Sequence, residues 1–78
     1  KAFKLGYSAP IIINAANEVL VNLFLKGKID FLDIVATINK ILKDKDFKKY
    51  AKRKPSSIKV VKNTDNWARL KTINMCVR

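Results

Sequence analysis

Cys76 is the one strong nucleophile in this sequence, and the chain has no histidine to activate it. Nucleophilic catalysis needs a base within hydrogen-bond reach and a third group that orients the base. A reactive thiol also needs a specific electropositive setting. Cys76 is therefore expected to be an incidental thiol. A single cysteine excludes an internal disulfide and any multi-thiolate metal site, and it fits a reducing compartment. The lack of histidine removes the commonest general base and the commonest metal ligand. Among carboxylates, Asp30 and Asp33 are close enough to suggest an acid–base pair, but they stand where a helix begins and where negative charge is favoured. Asp44 and Asp46 are diluted by lysines and read as part of a solvated charge run. Gly6 and Gly27 are too far apart to make a phosphate-cradling loop. The sequence thus assigns no catalytic, cofactor-binding or metal-ligating residue.

Two groups remain that could bind rather than react. The first is basic. The net charge is +11, but residues 1–42 hold only +2 of it and residues 43–78 hold +9. Lys48, Lys49, Lys52, Arg53, Lys54, Lys59 and Lys62 could neutralise phosphates, with Tyr50 and Trp67 available to stack on bases. Arginine, the better base reader, is scarce, and Asp44 and Asp46 interrupt the lysines. A solvated face is the simpler expectation, and nucleic-acid binding is the rival to it.

The second group is Asn14, Asn17 and Glu18, polar residues inside an otherwise apolar helix. Buried polar groups are costly without partners, so these three either face water or bond to a neighbouring segment. Val21 and Leu25 share their side, and Ala15 and Ala16 are small enough to admit a close neighbour. The expected role is a contact face toward another domain.

The elements that position these residues are helical. Ser8-Ala9-Pro10 reads as a helix start, with Ser8 as cap and Pro10 in the first turn. That helix should run to about Lys26 and stop at Gly27, with Ile12, Ala16, Val19, Leu20 and Leu23 on one face. It is apolar on nearly every side, which implies a neighbour on nearly every side. A second helix should start near Asp30 to Asp33 and bury Phe31, Ile34, Val35, Ile38, Ile41 and Leu42. The short connection makes the pair an antiparallel hairpin. Residues 44–56 form a charged segment, either a helical extension or a flexible link, with Phe47 and Tyr50 as anchors. After Pro55, Ser56 or Ser57 should cap a short helix over Ile58 to Lys62, although Ile58-Lys59-Val60 also alternates like a strand. Thr64 or Asp65 should cap a last helix that buries Trp67, Leu70, Ile73 or Asn74, and Val77. Lys1 to Leu5 reads as the last turn of something longer, closed by Gly6.

These pieces predict an all-α fold: one small bundle of about four helices with the hairpin at its centre. A chain of 78 residues buries only about 60–65% of its unfolded surface, so the core is expected to be thin. No apolar run approaches the roughly 20 residues needed to span a bilayer. The start without methionine suggests a fragment of a longer chain.

The run Ser8-Ala9-Pro10, Asn14-Ala15-Ala16-Asn17-Glu18 and Phe24-Leu25-Lys26-Gly27-Lys28-Ile29-Asp30-Phe31-Leu32-Asp33-Ile34 closely resembles the C-terminal domain of the 1-deoxy-D-xylulose 5-phosphate reductoisomerase family. Ser57-Ile58 and Asp65-Asn66-Trp67-Ala68-Arg69 are similar to that domain's closing segment. Residues 58–62 depart from the family by being basic where its segment tends to be acidic. The resemblance implies a C-terminal helical bundle of a three-part enzyme that makes 2-C-methyl-D-erythritol 4-phosphate for isoprenoid biosynthesis. It implies NADPH and Mg²⁺ or Mn²⁺ for the parent, which would be a homodimer, and neither group bound by this piece. The partners implied are the upstream domains of the same enzyme, with no membrane. The implied compartment is a bacterial cytoplasm or a plastid-type organelle.

Overall fold

The computed structural model describes residues 7–76, and the readings placed on Lys1 to Gly6 and on Val77 lie outside them. Four helices follow in order among the described residues: α1 (Ala9–Leu25), α2 (Phe31–Leu42), α3 (Phe47–Ala51) and α4 (Ile58–Cys76). No strand occurs among the described residues. The bundle is elongated, 36 × 22 × 20 Å along its principal axes.

Gly27 ends α1 as its position demanded. Its φ of +72° lies in the left-handed region, which costs glycine least. The Lys28 N–H donates to the Leu23 carbonyl at 2.9 Å and the Gly27 N–H to the Phe24 carbonyl at 3.0 Å. This pair of bonds is the Schellman closure, which satisfies carbonyls left over at a helix end. Soon after, the chain starts α2, where the Asp30 N–H donates to the Asp33 carboxylate at 2.8 Å. Asp33 thus serves the helix start, as its place in the sequence suggested.

Ser8 departs from expectation. It occupies the cap position of α1, yet its side chain makes no capping bond. Its hydroxyl donates instead to the Arg53 carbonyl, and its backbone N–H donates to the Ala51 carbonyl at 2.9 Å. The Ala51 carbonyl closes α3 and needs a partner outside its own helix, while Arg53 lies two residues beyond that helix. Buried Ser8 therefore fastens the start of α1 to the charged segment. Phe47 and Ala51 of α3 are buried as well, and Tyr50 packs against the core from its edge.

The core lies mainly between α1 and α4, the most extensive helix contact among the described residues. On α1 the buried residues are Ala9, Ile12, Ala15, Ala16 and Leu20, while Val19 and Leu23 are only half-buried. On α2, Ile34, Thr37 and Ile41 are buried, whereas Phe31 and Val35, expected inside, are exposed.

The region after Pro55 requires two corrections. Ile58 to Lys62 is neither a separate short helix nor a strand; it is the first part of a single helix running to Cys76. Ser57 does cap it, accepting the Val60 N–H at 3.3 Å. Thr64 and Asp65 cap nothing, being inside the helix. The buried face is also not Trp67, Leu70 and Ile73 but Thr64, Ala68 and Thr72, an i, i+4, i+8 stripe; Leu70 and Ile73 are exposed. The threonine hydroxyls solve their own burial: Thr64 donates to the Val60 carbonyl at 2.9 Å and Thr72 to the Ala68 carbonyl at 2.7 Å. Back-bonding to the i−4 carbonyl satisfies the hydroxyl within the helix and leaves the methyl for packing.

Asp44 joins the charged segment to α4. Its carboxylate accepts the Asp46 N–H at 2.9 Å and pairs with the Lys71 ammonium at 3.1 Å. Partial burial pushes its pKa up, but the Asp46 backbone N–H and Lys71 outweigh that, leaving it below the ordinary 3.8. A depressed carboxyl pKa contributes stability above the unfolded value, and that contribution disappears as pH falls through the folded value. Asp44→Asn is therefore expected to cost about 1 kcal/mol at neutral pH. The deficit against wild type should shrink below pH 3.8, as seen in urea melts across the acid range.

Candidate docking face

The polar stripe of α1 lies on the surface. Asn14, Asn17 and Glu18 are all exposed. Asn14 Nδ2 donates to Glu18 Oε2 at 3.2 Å, an i, i+4 pair on one helix face. Glu18 then reaches across to α4, where its carboxylate is 3.5 Å from the Arg69 guanidinium. Arg69 donates from Nε to Asp65 at 2.7 Å. Its pKa is raised, chiefly by the Asp65 hydrogen bond and further by Glu18. Asn14, Glu18, Arg69 and Asp65 thus form a chain of polar contacts linking the two main helices.

Below that chain lies an open groove of about 570 Å³, lined by Asn17, Glu18, Val21, Asn22 and Leu25 of α1 and by Arg69 and Ile73 of α4, among others. Asn17 has no side-chain hydrogen bond within the described residues and stands at this groove. Of the three polar residues flagged in the sequence, Asn14 and Glu18 have partners of their own, and Asn17 has its amide free for another surface. Sequence patterning did not single out Arg69 and Ile73 for this face. They become its far wall only because α4 packs on α1.

The basic segment presents a different picture. Tyr50 and Trp67, the two rings that could stack on bases, stack on each other instead, with centroids 4.6 Å apart and planes 13° off parallel. The Arg53 guanidinium lies 4.7 Å from the Tyr50 centroid. The faces that these two rings turn toward each other hold α3 to α4.

Cys76 is half-buried, with its sulfur 4.0 Å from the Thr37 hydroxyl. No group of three or more His, Cys, Asp or Glu able to hold a metal ion occurs among the described residues. No helix among them is long and apolar enough to cross a membrane.

A family model described as DXP reductoisomerase C-terminal domain matches residues 1–71. The 1-deoxy-D-xylulose 5-phosphate reductoisomerases of Saccharophagus degradans and Geotalea daltonii are each 44% identical to the chain, over 68 and 69 residues. Those matches take in 87% and 88% of this chain but only 16% and 17% of the relatives. The enzyme of the same name from Desulfitobacterium hafniense is 32% identical over 69 residues, again 88% of this chain and 17% of its own length. The chain thus spans about one sixth of the relatives it matches. No solved structure matches it.

Proposed function

The chain belongs to the DXP reductoisomerase C-terminal domain family, and from that premise we propose that it is the closing, non-catalytic domain of a reductoisomerase. The parent reaction is the NADPH-dependent conversion of 1-deoxy-D-xylulose 5-phosphate to 2-C-methyl-D-erythritol 4-phosphate, with Mg²⁺ or Mn²⁺, in isoprenoid biosynthesis. The single observation that carries this reading is a family match across residues 1–71 to relatives about five times as long as the chain. The described residues offer no donor set for a metal and no glycine-rich loop for a nucleotide, so the residues here do not fit either group. In this reading both belong to the upstream domains, and no chemical step is assigned to this chain.

Its contribution is geometric. A rigid bundle packed against the upstream domains fixes their relative positions, and small misplacements of reacting groups are costly to an enzyme. Asn14, Asn17 and Glu18 are the interdomain contact residues of this proposal. The test is direct: the full-length polypeptide should oxidise NADPH in the presence of substrate and Mg²⁺ or Mn²⁺, and the 78-residue chain should not. A full-length protein that turns over nothing contradicts the reading. Affinity of the chain for DNA or RNA that falls steeply with rising salt would instead favour a basic nucleic-acid-binding module.

Asn17→Ala separates docking from internal structure. It should leave the stability of the 78-residue chain within about 1 kcal/mol while lowering the activity of the full-length enzyme. Equal damage to both would make Asn17 a structural residue.

A further inference from the structure

Among the described residues, half of the ten large apolar side chains that this fold leaves in water fall within residues 24–35, the others being Tyr7, Val21, Ile58, Leu70 and Ile73. Leu25 is 76% exposed, Phe31 63%, Leu32 77% and Val35 51%, and all four lie in the stretch 25–35 that contains the Gly27 turn. Phe24 is also exposed and meets Phe31 edge-to-face across the turn, with centroids 6.2 Å apart. The end of one helix and the start of the next are thereby joined into one apolar tip. Leu25 belongs both to this tip and to the groove beside Asn17, so the two surfaces are continuous. Contiguous exposed apolar patches of this kind mark interaction sites.

We infer that the α1–α2 hairpin tip inserts into an apolar, nearly uncharged recess of an upstream domain of the same polypeptide. The inference rests on the proposed function above and names which surface does the docking. Charge decides between occupants. Within the tip, Lys26 and Lys28 are offset by Asp30 and Asp33, so the patch is close to neutral, whereas the chain as a whole carries +11. Two copies meeting tip to tip would bring two strongly cationic bodies together, which like-charge repulsion opposes. A domain covering the tip meets a nearly neutral patch, which suits an apolar recess without net charge at its rim. The relatives, about five sixths of whose length lies outside the match, have ample chain to supply it.

Leu32→Glu tests this. A carboxylate in the first turn of α2 suits the helix dipole, so the variant retains its helix. Leu70→Glu is the control, at a residue 63% exposed on α4. In the full-length enzyme, Leu32→Glu is expected to lower kcat/KM by about tenfold or more through misplaced domains, and Leu70→Glu to leave it within twofold. Amides of residues 24–35 should also exchange with solvent more slowly in the full-length enzyme than in the 78-residue chain. Equal effects of the two substitutions on an active wild-type enzyme, or unchanged exchange at the tip, would overturn the inference while leaving the proposed function standing. An inactive wild-type enzyme would overturn the proposed function itself. A chain that forms dimers in sedimentation, lost on Leu32→Glu, would overturn the inference by making a second copy the occupant.

Discussion

Phe47→Ala is expected to destabilise this domain by about 4 kcal/mol, within the range for removing a buried aromatic ring. Phe47 is 3% exposed and is the only large apolar side chain that α3 places in the core. A helix of five residues does not persist alone, because nucleation costs more than so few hydrogen bonds return. What holds α3 is its burial through Phe47 and Ala51, the Ser8 bonds to the carbonyls of Ala51 and of Arg53 just beyond the helix, and the Tyr50–Trp67 stack. A domain of this length has a total stability of only about 4–12 kcal/mol, so the loss is a large share of the whole. The melting midpoint should fall by about 20 °C, measured by circular dichroism. Lys48→Ala, at an exposed position on the same short helix, should move it little. A shift of only a few degrees for Phe47→Ala would mean that α3 contributes almost nothing to the core.

Ala68→Leu should rank next, at about 3 kcal/mol, the upper part of the usual cost of overpacking. Ala68 is fully buried in the cluster that also holds Ala9, Ile12, Ala15 and Ala16 of α1. Alanines on both helices let the two backbones approach closely, and three added carbons can be housed only by moving α4 away from α1. That movement would also pull Arg69 from Glu18, so the damage should extend to the groove. The reverse change at exposed Leu70, to alanine, should cost under about 0.5 kcal/mol, as surface changes usually do. Chemical denaturation of the three proteins ranks them directly. If Ala68→Leu is tolerated as well as Leu70→Ala, then α4 does not turn its Ala68 face toward α1.

These two residues mark where the sequence could and could not be read. Phe47 stood out because an aromatic amid lysines has nowhere favourable to go except inward, and its spacing to Tyr50 marked both as anchors. Ala68 did not stand out, because hydrophobic periodicity on α4 selects Leu70 and Ile73. The structure turns those residues outward and buries Thr64 and Thr72 instead. A threonine is classed as polar in any pattern argument, yet its hydroxyl can be satisfied by its own helix, after which it packs as a small apolar group. Whether that happens depends on what lies opposite, and α1 is the helix on which α4 packs most extensively among the described residues.

The same division runs through the candidate face. Asn14, Asn17 and Glu18 were visible as polar residues in an apolar helix, and their contact role was a statement about cost. Arg69 lies 51 positions beyond Glu18 in the numbering, and only packing brings them to 3.5 Å. Ser8 was readable as the residue at a helix start, but the partner of its hydroxyl was not, because a cap competes with any better-placed carbonyl.

The residues of this chain, taken in order, determined a helical protein with turns at Gly27 and Pro55, and they carried the family motif around Asn14 to Glu18. Those features rest on local forces: backbone freedom, proline's missing donor, and apolar repeats near 3.6. Tertiary structure alone decided which face of α4 is inside, which carbonyl accepts the Ser8 hydroxyl, and that Leu25, Phe31 and Leu32 are left in water. Each of those outcomes is a competition between surfaces distant along the chain, and its winner is set by which neighbour arrives.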